Sequence, residues 1–164
     1  MMPDPSLQSS RSHSLRADWM GLLARAPREL LESALKDHIP KEPTWLRKPE
    51  TGLYMVKGRI GGSGEPFNLG EITVTRCAIR LNVSQERERV GVAYVLGRSK
   101  SLALMASVAD ALLQEEEESK YWQNILIKPI QLHLKTQQEK MEQKSNATKV
   151  DFFTLAREAG GESS

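Results

Sequence analysis

Apolar residues recur at helical spacing near both ends of the chain, whereas in the middle they alternate with polar or small ones. Leu15, Trp19, Leu22, Leu23 and Ala26 lie three or four positions apart, with Ser14 placed as an N-cap and Pro27 closing the segment. Pro27 also suits the first turn of a second helix, whose stripe is Leu30, Leu31, Ala34 and Leu35 and which Pro40 and Pro43 end. Two helices joined so tightly are expected to cross, each burying its stripe against something larger.

A sheet is that larger element. Thr44 to Lys48 is expected to be a short edge strand, because Pro43 and Pro49 bracket it and neither can donate to a central ladder. Gly52 to Ile60 is a second strand, and it runs into Gly61, Gly62, Ser63 and Gly64, where glycine permits the positive φ of a tight reversal. The return strand spans Phe67 to Leu81, with Asn68, Leu69 and Gly70 as a bulge or kink. After the charged run QERER comes Val90 to Gly97, where Val90, Val92, Tyr94 and Leu96 alternate with Gly91, Ala93, Val95 and Gly97. A face of such small residues predicts close approach of another element.

The next helix supplies it. Ser99 can cap Lys100 to Gln114, whose Leu102, Met105, Ala109 and Leu112 make a wide apolar face. Four acids, Glu115 to Glu118, would oppose a helix dipole at its C-terminus and so read as a loop or the opening turn of a new helix. Pro129 divides the next apolar segment into Tyr121 to Lys128 and Ile130 to Lys144, and the second piece is so polar that it is exposed or covered by a partner. Phe152 and Phe153 form an apolar cluster near the C-terminus and are candidate interface residues. The pattern as a whole predicts an α+β fold: a small antiparallel sheet of about four strands, built on a central glycine-rich hairpin and packed with N-terminal and C-terminal helices. Residues 1–14 read as a disordered tail that is neither signal peptide nor membrane anchor, 15–158 as a single domain and 159–164 as a second tail.

Composition narrows the function. A chain of 164 residues can bury roughly two-thirds of its unfolded surface. Its aromatic content of 5% is thin for a self-sufficient core and favours a subunit. With 23 basic and 21 acidic residues, it carries no net field that would hold a nucleic acid or an anionic membrane. One cysteine, Cys77, excludes an internal disulfide and fits a reducing cytoplasm. His13, His38 and His133 offer no zinc spacing, so no metal site is expected.

The glycine loop beside arginines invites a nucleotide-binding reading, which the pattern fails. GGSGEPF has Phe67 where G-x-G-x-x-G needs its third glycine, no Lys-Ser or Lys-Thr follows, and a strand rather than a helix comes next. Gly61, Gly62 and Gly64 therefore read as a structural turn. Arg76 and Arg80, four apart on one strand, share a face at roughly 13 Å, with Arg59 on the partner strand and Arg98 beyond the last strand. These four arginines are candidates for anion binding or a subunit interface, since a desolvated charge-assisted hydrogen bond contributes about 1.5–3 kcal/mol; a solvated sheet face is the plain alternative. Glu65, Glu71 and Asp110 could each serve as a general acid or base but read first as arginine counter-ions or helix-surface charges, Cys77 reads as a small buried hydrophobe, and no Ser, His and Asp or Cys and His pairing suggests a nucleophile. The residues themselves name no catalytic group.

Three stretches in order, RIGGSGEPFNLGEITVTRCAIRL, GVAYVLGRSKSLALMASVADALLQ and ATKVDFFTLARE, closely resemble the PhnG family, a small subunit of the bacterial carbon-phosphorus lyase system. The similarity runs from about Trp19 to Arg157, and the chain departs from the family in its N-terminal tail and the QERER run. The resemblance implies a role in phosphonate use, in a two-fold symmetric core with the PhnH, PhnI and PhnJ subunits to which the ATP-binding-cassette proteins PhnK and PhnL attach. It implies participation in displacing adenine from ATP by methylphosphonate, giving ribose 1-methylphosphonate 5-triphosphate, with PhnI as the catalyst. Carbon–phosphorus cleavage then belongs to PhnJ, which carries the iron–sulfur cluster and uses SAM. On this reading the chain is an accessory subunit that binds no cofactor alone. The alternatives are a phosphate- or phosphonate-binding subunit lining the active site through Arg59, Arg76, Arg80 or Arg98, or a free-standing nucleotide-binding protein.

Overall fold

Helix α1 (residues 15–23) and helix α2 (Arg28–Leu35) come first, and each buries its predicted stripe, through Trp19 and Leu23 and through Leu31 and Leu35. Pro27 is the extended N-cap of α2, where its missing N–H leaves no helical bond unmade. The computed structural model describes residues 15–84, 87–115 and 117–159, and of residues 83, 84, 87 and 146–159 the backbone alone. The predicted cap at Ser14 and the tails expected over 1–14 and 159–164 lie outside the described residues, apart from position 159 at the end of the last helix.

The fold is α+β, and among the described residues it has three antiparallel strands in the order β1-β2-β3: β1 (Thr44–Arg59), β2 (Pro66–Ser84) and β3 (Arg87–Leu96). Among the described residues there is no fourth strand, because the two expected strands, Thr44 to Lys48 and Gly52 to Ile60, merge into the one strand β1, which ends at Arg59. Pro49 does not break it, since it lies where the register already shifts between the pairs Arg47–Ala78 and Glu50–Arg76, so no regular ladder bond is lost there. β3 also begins at Arg87, inside the charged run QERER.

The hairpin between β1 and β2 uses its glycines in two ways. Gly61 and Gly62 take φ of 61° and 81° in a 3₁₀ turn over Ile60–Gly62, a region that side chains resist. Gly64 is needed for space instead, because a Cβ there would stand 2.9 Å from the Ile60 carbonyl oxygen. The bulge falls at Leu69, between the pairs Val56–Gly70 and Lys57–Asn68.

Helix α3 (Lys100–Leu113) is the core. The Ser99 hydroxyl accepts the Leu102 N–H at 3.2 Å, as a capping serine should. From Met105 to Leu113 every residue of α3 is buried, because the sheet covers one side and the other helices cover the rest. Close approach to β3 is possible only because of the small face predicted there: a Cβ on Gly91 would lie 1.8 Å from the Ser107 carbonyl oxygen. Cys77, on the inner face of β2, meets the Ser107 hydroxyl at 3.6 Å, and burial pushes its thiol pKa up.

Past the acidic loop come α4 (Ser119–Trp122), a π-helical turn (Gln123–Ile127) and α5 (Lys128–Ala159). Pro129 therefore does not separate two helices, as the sequence suggested. It falls in the first turn of α5, directly after the widened π turn, so the helix absorbs its ring and its missing donor. Trp122 is fully buried, edge-on to His38 at 4.8 Å and to Tyr121 at 5.1 Å. The chain divides into two compact units, residues up to Ile130 and residues from Gln131 onward. Within the second, α5 from 131 to 145 is exposed except for Leu134, and the helix continues through positions 152 and 153, whose side chains lie outside the described residues.

Candidate functional site

The free side of β3 is closed by a buried polar cluster. Asp110, in the middle of α3 and 0% exposed, accepts hydrogen bonds from Arg16 Nη2 at 2.7 Å and Nε at 3.2 Å, from Trp19 Nε1 at 2.9 Å and from the Val92 N–H at 2.9 Å. The expected arginine pairing is present, but Asp110 is no helix-surface charge. With its oxygens committed to these donors, and to Gln114 Nε2 at 3.4 Å, it clamps α1, α3 and β3 together and is not available as a general base. The Val90 carbonyl accepts from Arg16 Nη2 at 3.2 Å and from Gln114 Nε2 at 3.0 Å, and the Leu96 N–H donates to the Ala24 carbonyl at 3.2 Å.

The outer face of the sheet is different. Glu50, Arg76 and Tyr94 stand opposite one another across the three strands, followed by the row Gly52, Val74 and Leu96. Glu50 accepts from Arg47 Nη1 and from Arg76 Nε, each at 2.6 Å. Its carboxyl pKa is held below the usual range, first by the hydrogen bond from Arg47 and then by that from Arg76. Because Gly52 has no side chain, a shallow depression of about 200 Å³ opens beside this cluster, walled by Tyr54, Tyr94 and Arg76 and floored by Val74. Two guanidiniums share one carboxylate at its rim. The arrangement can attract an anion or an acidic side chain, but it contains no nucleophile and no free acid or base.

Of the predicted arginines, Arg76 and Arg80 do share this outer face, and Arg80 pairs with Glu88 at 3.5 Å. Arg59 is not across from them: it pairs with Pro66, ten residues along β2 from Arg76 and so about 33 Å away. There it donates from Nη1 to the Gly64 carbonyl at 2.9 Å and braces the hairpin turn. Arg98 is exposed in the turn between β3 and α3. The four arginines thus form no common site. Glu50 escaped the sequence reading, although a carboxylate following Arg47, Lys48 and Pro49 was a signal for an ion cluster.

β3 pairs with β2 only from Val74 onward, so Pro66 to Thr73 and Leu53 to Arg59 form a two-stranded ribbon about 26 Å long. Leu53 is 67% exposed, Leu69 62% and Ile60 77%, and Tyr54, Met55 and Phe67 are also exposed. Leu53 and Met55 point to the face that carries the buried Thr75 farther along the sheet, together with Glu71 and Lys57, and Tyr54 points to the other, so exposed apolar side chains stand on both faces of the ribbon. Among the described residues no three His, Cys, Asp or Glu side chains could hold a metal ion, and no helix is long and apolar enough to cross a membrane.

Residues 14–158 match the family described as phosphonate metabolism protein PhnG. Over 144 residues the chain is 40% identical to the alpha-D-ribose 1-methylphosphonate 5-triphosphate synthase subunit PhnG of Rhizobium meliloti (strain 1021), covering 87% of this chain and 88% of that protein.

Proposed function

The chain belongs to the PhnG family, and from that premise we propose that it is an accessory subunit of a ribose 1-methylphosphonate 5-triphosphate synthase. In this reading it holds partner subunits in place while the complex transfers the ribose triphosphate of ATP to methylphosphonate and releases adenine. The observation that carries it is the ribbon. A two-stranded hairpin is marginal in water, and one with apolar side chains on both faces is completed by another chain. PhnH, PhnI and PhnJ are the proposed neighbours, with PhnK and PhnL outside them, and the catalytic groups are assigned to PhnI. Phe152 and Phe153 on α5 are proposed as a second contact. An iron–sulfur cluster and SAM chemistry are assigned in this reading to a partner subunit; the one cysteine of this chain, Cys77, is buried under α3.

A second reading is favoured by the guanidinium pair at the rim of the depression, which could place Arg76 against a phosphate or phosphonate oxygen. Arg76→Ala in the assembled complex separates the two. The accessory reading expects the complex to form and its turnover to stay within about twofold of the parent, because Arg47 still holds Glu50 and an exposed pair contributes little. Intact assembly with turnover abolished would move Arg76 into the substrate site.

A further inference from the structure

The two free edges of the sheet are treated in opposite ways. That of β3 is closed by Asp110, Arg16, Gln114 and the Ala24 carbonyl. Along β1, among the described residues, no side chain and no other element hydrogen-bonds the backbone on its outer side from Glu50 to Arg59. Every second residue of a strand turns its N–H and C=O toward such an edge, and proteins that keep an edge unpaired shorten, bulge or cover it. Here the edge is long, and past Pro49 it carries no further proline.

We propose that the outer edge of β1, from Glu50 to Arg59, is a strand-pairing site for an extended segment of a partner subunit that carries acidic side chains. Charge selects that occupant. β1 bears Arg47, Lys48, Lys57 and Arg59 against the single acid Glu50. A second copy of β1 laid antiparallel would bring Arg47 and Lys48 toward the Lys57 and Arg59 end of the first, and like charges opposite one another destabilise a pair. An acidic segment from a different chain meets the same residues favourably. Its apolar side chains would lie beside Leu53 and Met55 on one face and Tyr54 on the other, with its acids toward the basic ends of β1. Backbone hydrogen bonds then supply affinity and the flanking side chains supply specificity. The ribbon gains a third strand, which is what a two-stranded hairpin lacks for stability.

This inference rests on the chain being a subunit, and amide hydrogen exchange tests the two separately. Exchange is measured residue by residue over 50–59 in the full chain alone and in the complex co-purified with its sibling subunits. The outward-facing amides should exchange near the unprotected rate in the free chain and slow by roughly a hundredfold or more in the complex, while those facing β2 are protected in both. A complex that forms normally with the outward amides still unprotected overturns the strand pairing and leaves the subunit reading standing. Failure to co-purify overturns both. A free chain that already dimerises with those amides protected overturns the assignment to a different polypeptide.

Discussion

Replacing Asp110 with alanine is expected to cost the isolated chain roughly 3 kcal/mol, the lower end of what removing one partner of a buried ion pair does. The lower end applies because the Arg16 side chain is 36% exposed and its charge can turn to water once the carboxylate is gone. Trp19 Nε1 and the Val92 N–H have less choice, since each is left as a desolvated donor beside a cavity. For a chain of this size the loss corresponds to a fall in Tm of about 6–12 °C. Asp110→Asn should recover only a small part, because its amide group places new donors where Arg16 and Trp19 already donate. Thermal unfolding of the three proteins, followed by circular dichroism, checks the order.

Gly91→Ala is expected to be at least as damaging, by a different route. The added Cβ would stand 1.8 Å from the Ser107 carbonyl oxygen, 2.9 Å from its carbonyl carbon and 3.0 Å from the Ala111 Cβ. The first two belong to the backbone of the central helix and cannot rotate aside, so α3 must lift off the sheet. Overpacking ordinarily costs about 1–3 kcal/mol, and a forced displacement of the core helix should exceed about 4 kcal/mol, leaving little folded protein. Gly52→Ala is the control. Nothing lies within 4 Å of a Cβ there, so the same change of residue should leave the denaturation midpoint almost unmoved.

Much of this architecture was legible in the sequence because local rules and tertiary packing agree over most of the chain. The alternation of small and large residues from Val90 to Gly97 pointed to a covered face, and α3 occupies it. The Ser99 cap, the glycine turn and the bulge at Leu69 followed from backbone requirements that few residues can meet. Prolines misled where their surroundings had already removed the bond they would break: Pro49 sits at a register shift of β1, and Pro129 follows a π turn. Asp110 looked like a surface charge because its helix reads as amphipathic, whereas α3 is buried on all sides from Met105 to Leu113. The available hint was Arg16 and Trp19, three positions apart on one helix and both able to donate. The placement of Arg59 was out of reach, since register is fixed by long-range pairing and decides whether an arginine faces Arg76 or lies about 33 Å from it. The family motifs stood out in the sequence, but they are residues of the fold, and they do not reveal which surface is left bare.

The central claim is that the bare ribbon is the docking element of an accessory subunit. Leu53→Glu together with Tyr54→Glu puts one charge on each face while touching no buried contact of the free chain. The measurement is the fraction of this chain that co-purifies with its sibling subunits, taken beside the Tm of the free chain. The account predicts an unchanged Tm and an association weakened at least roughly a hundredfold, since two charges would have to be desolvated. A doubly substituted chain that assembles as the parent does would contradict it.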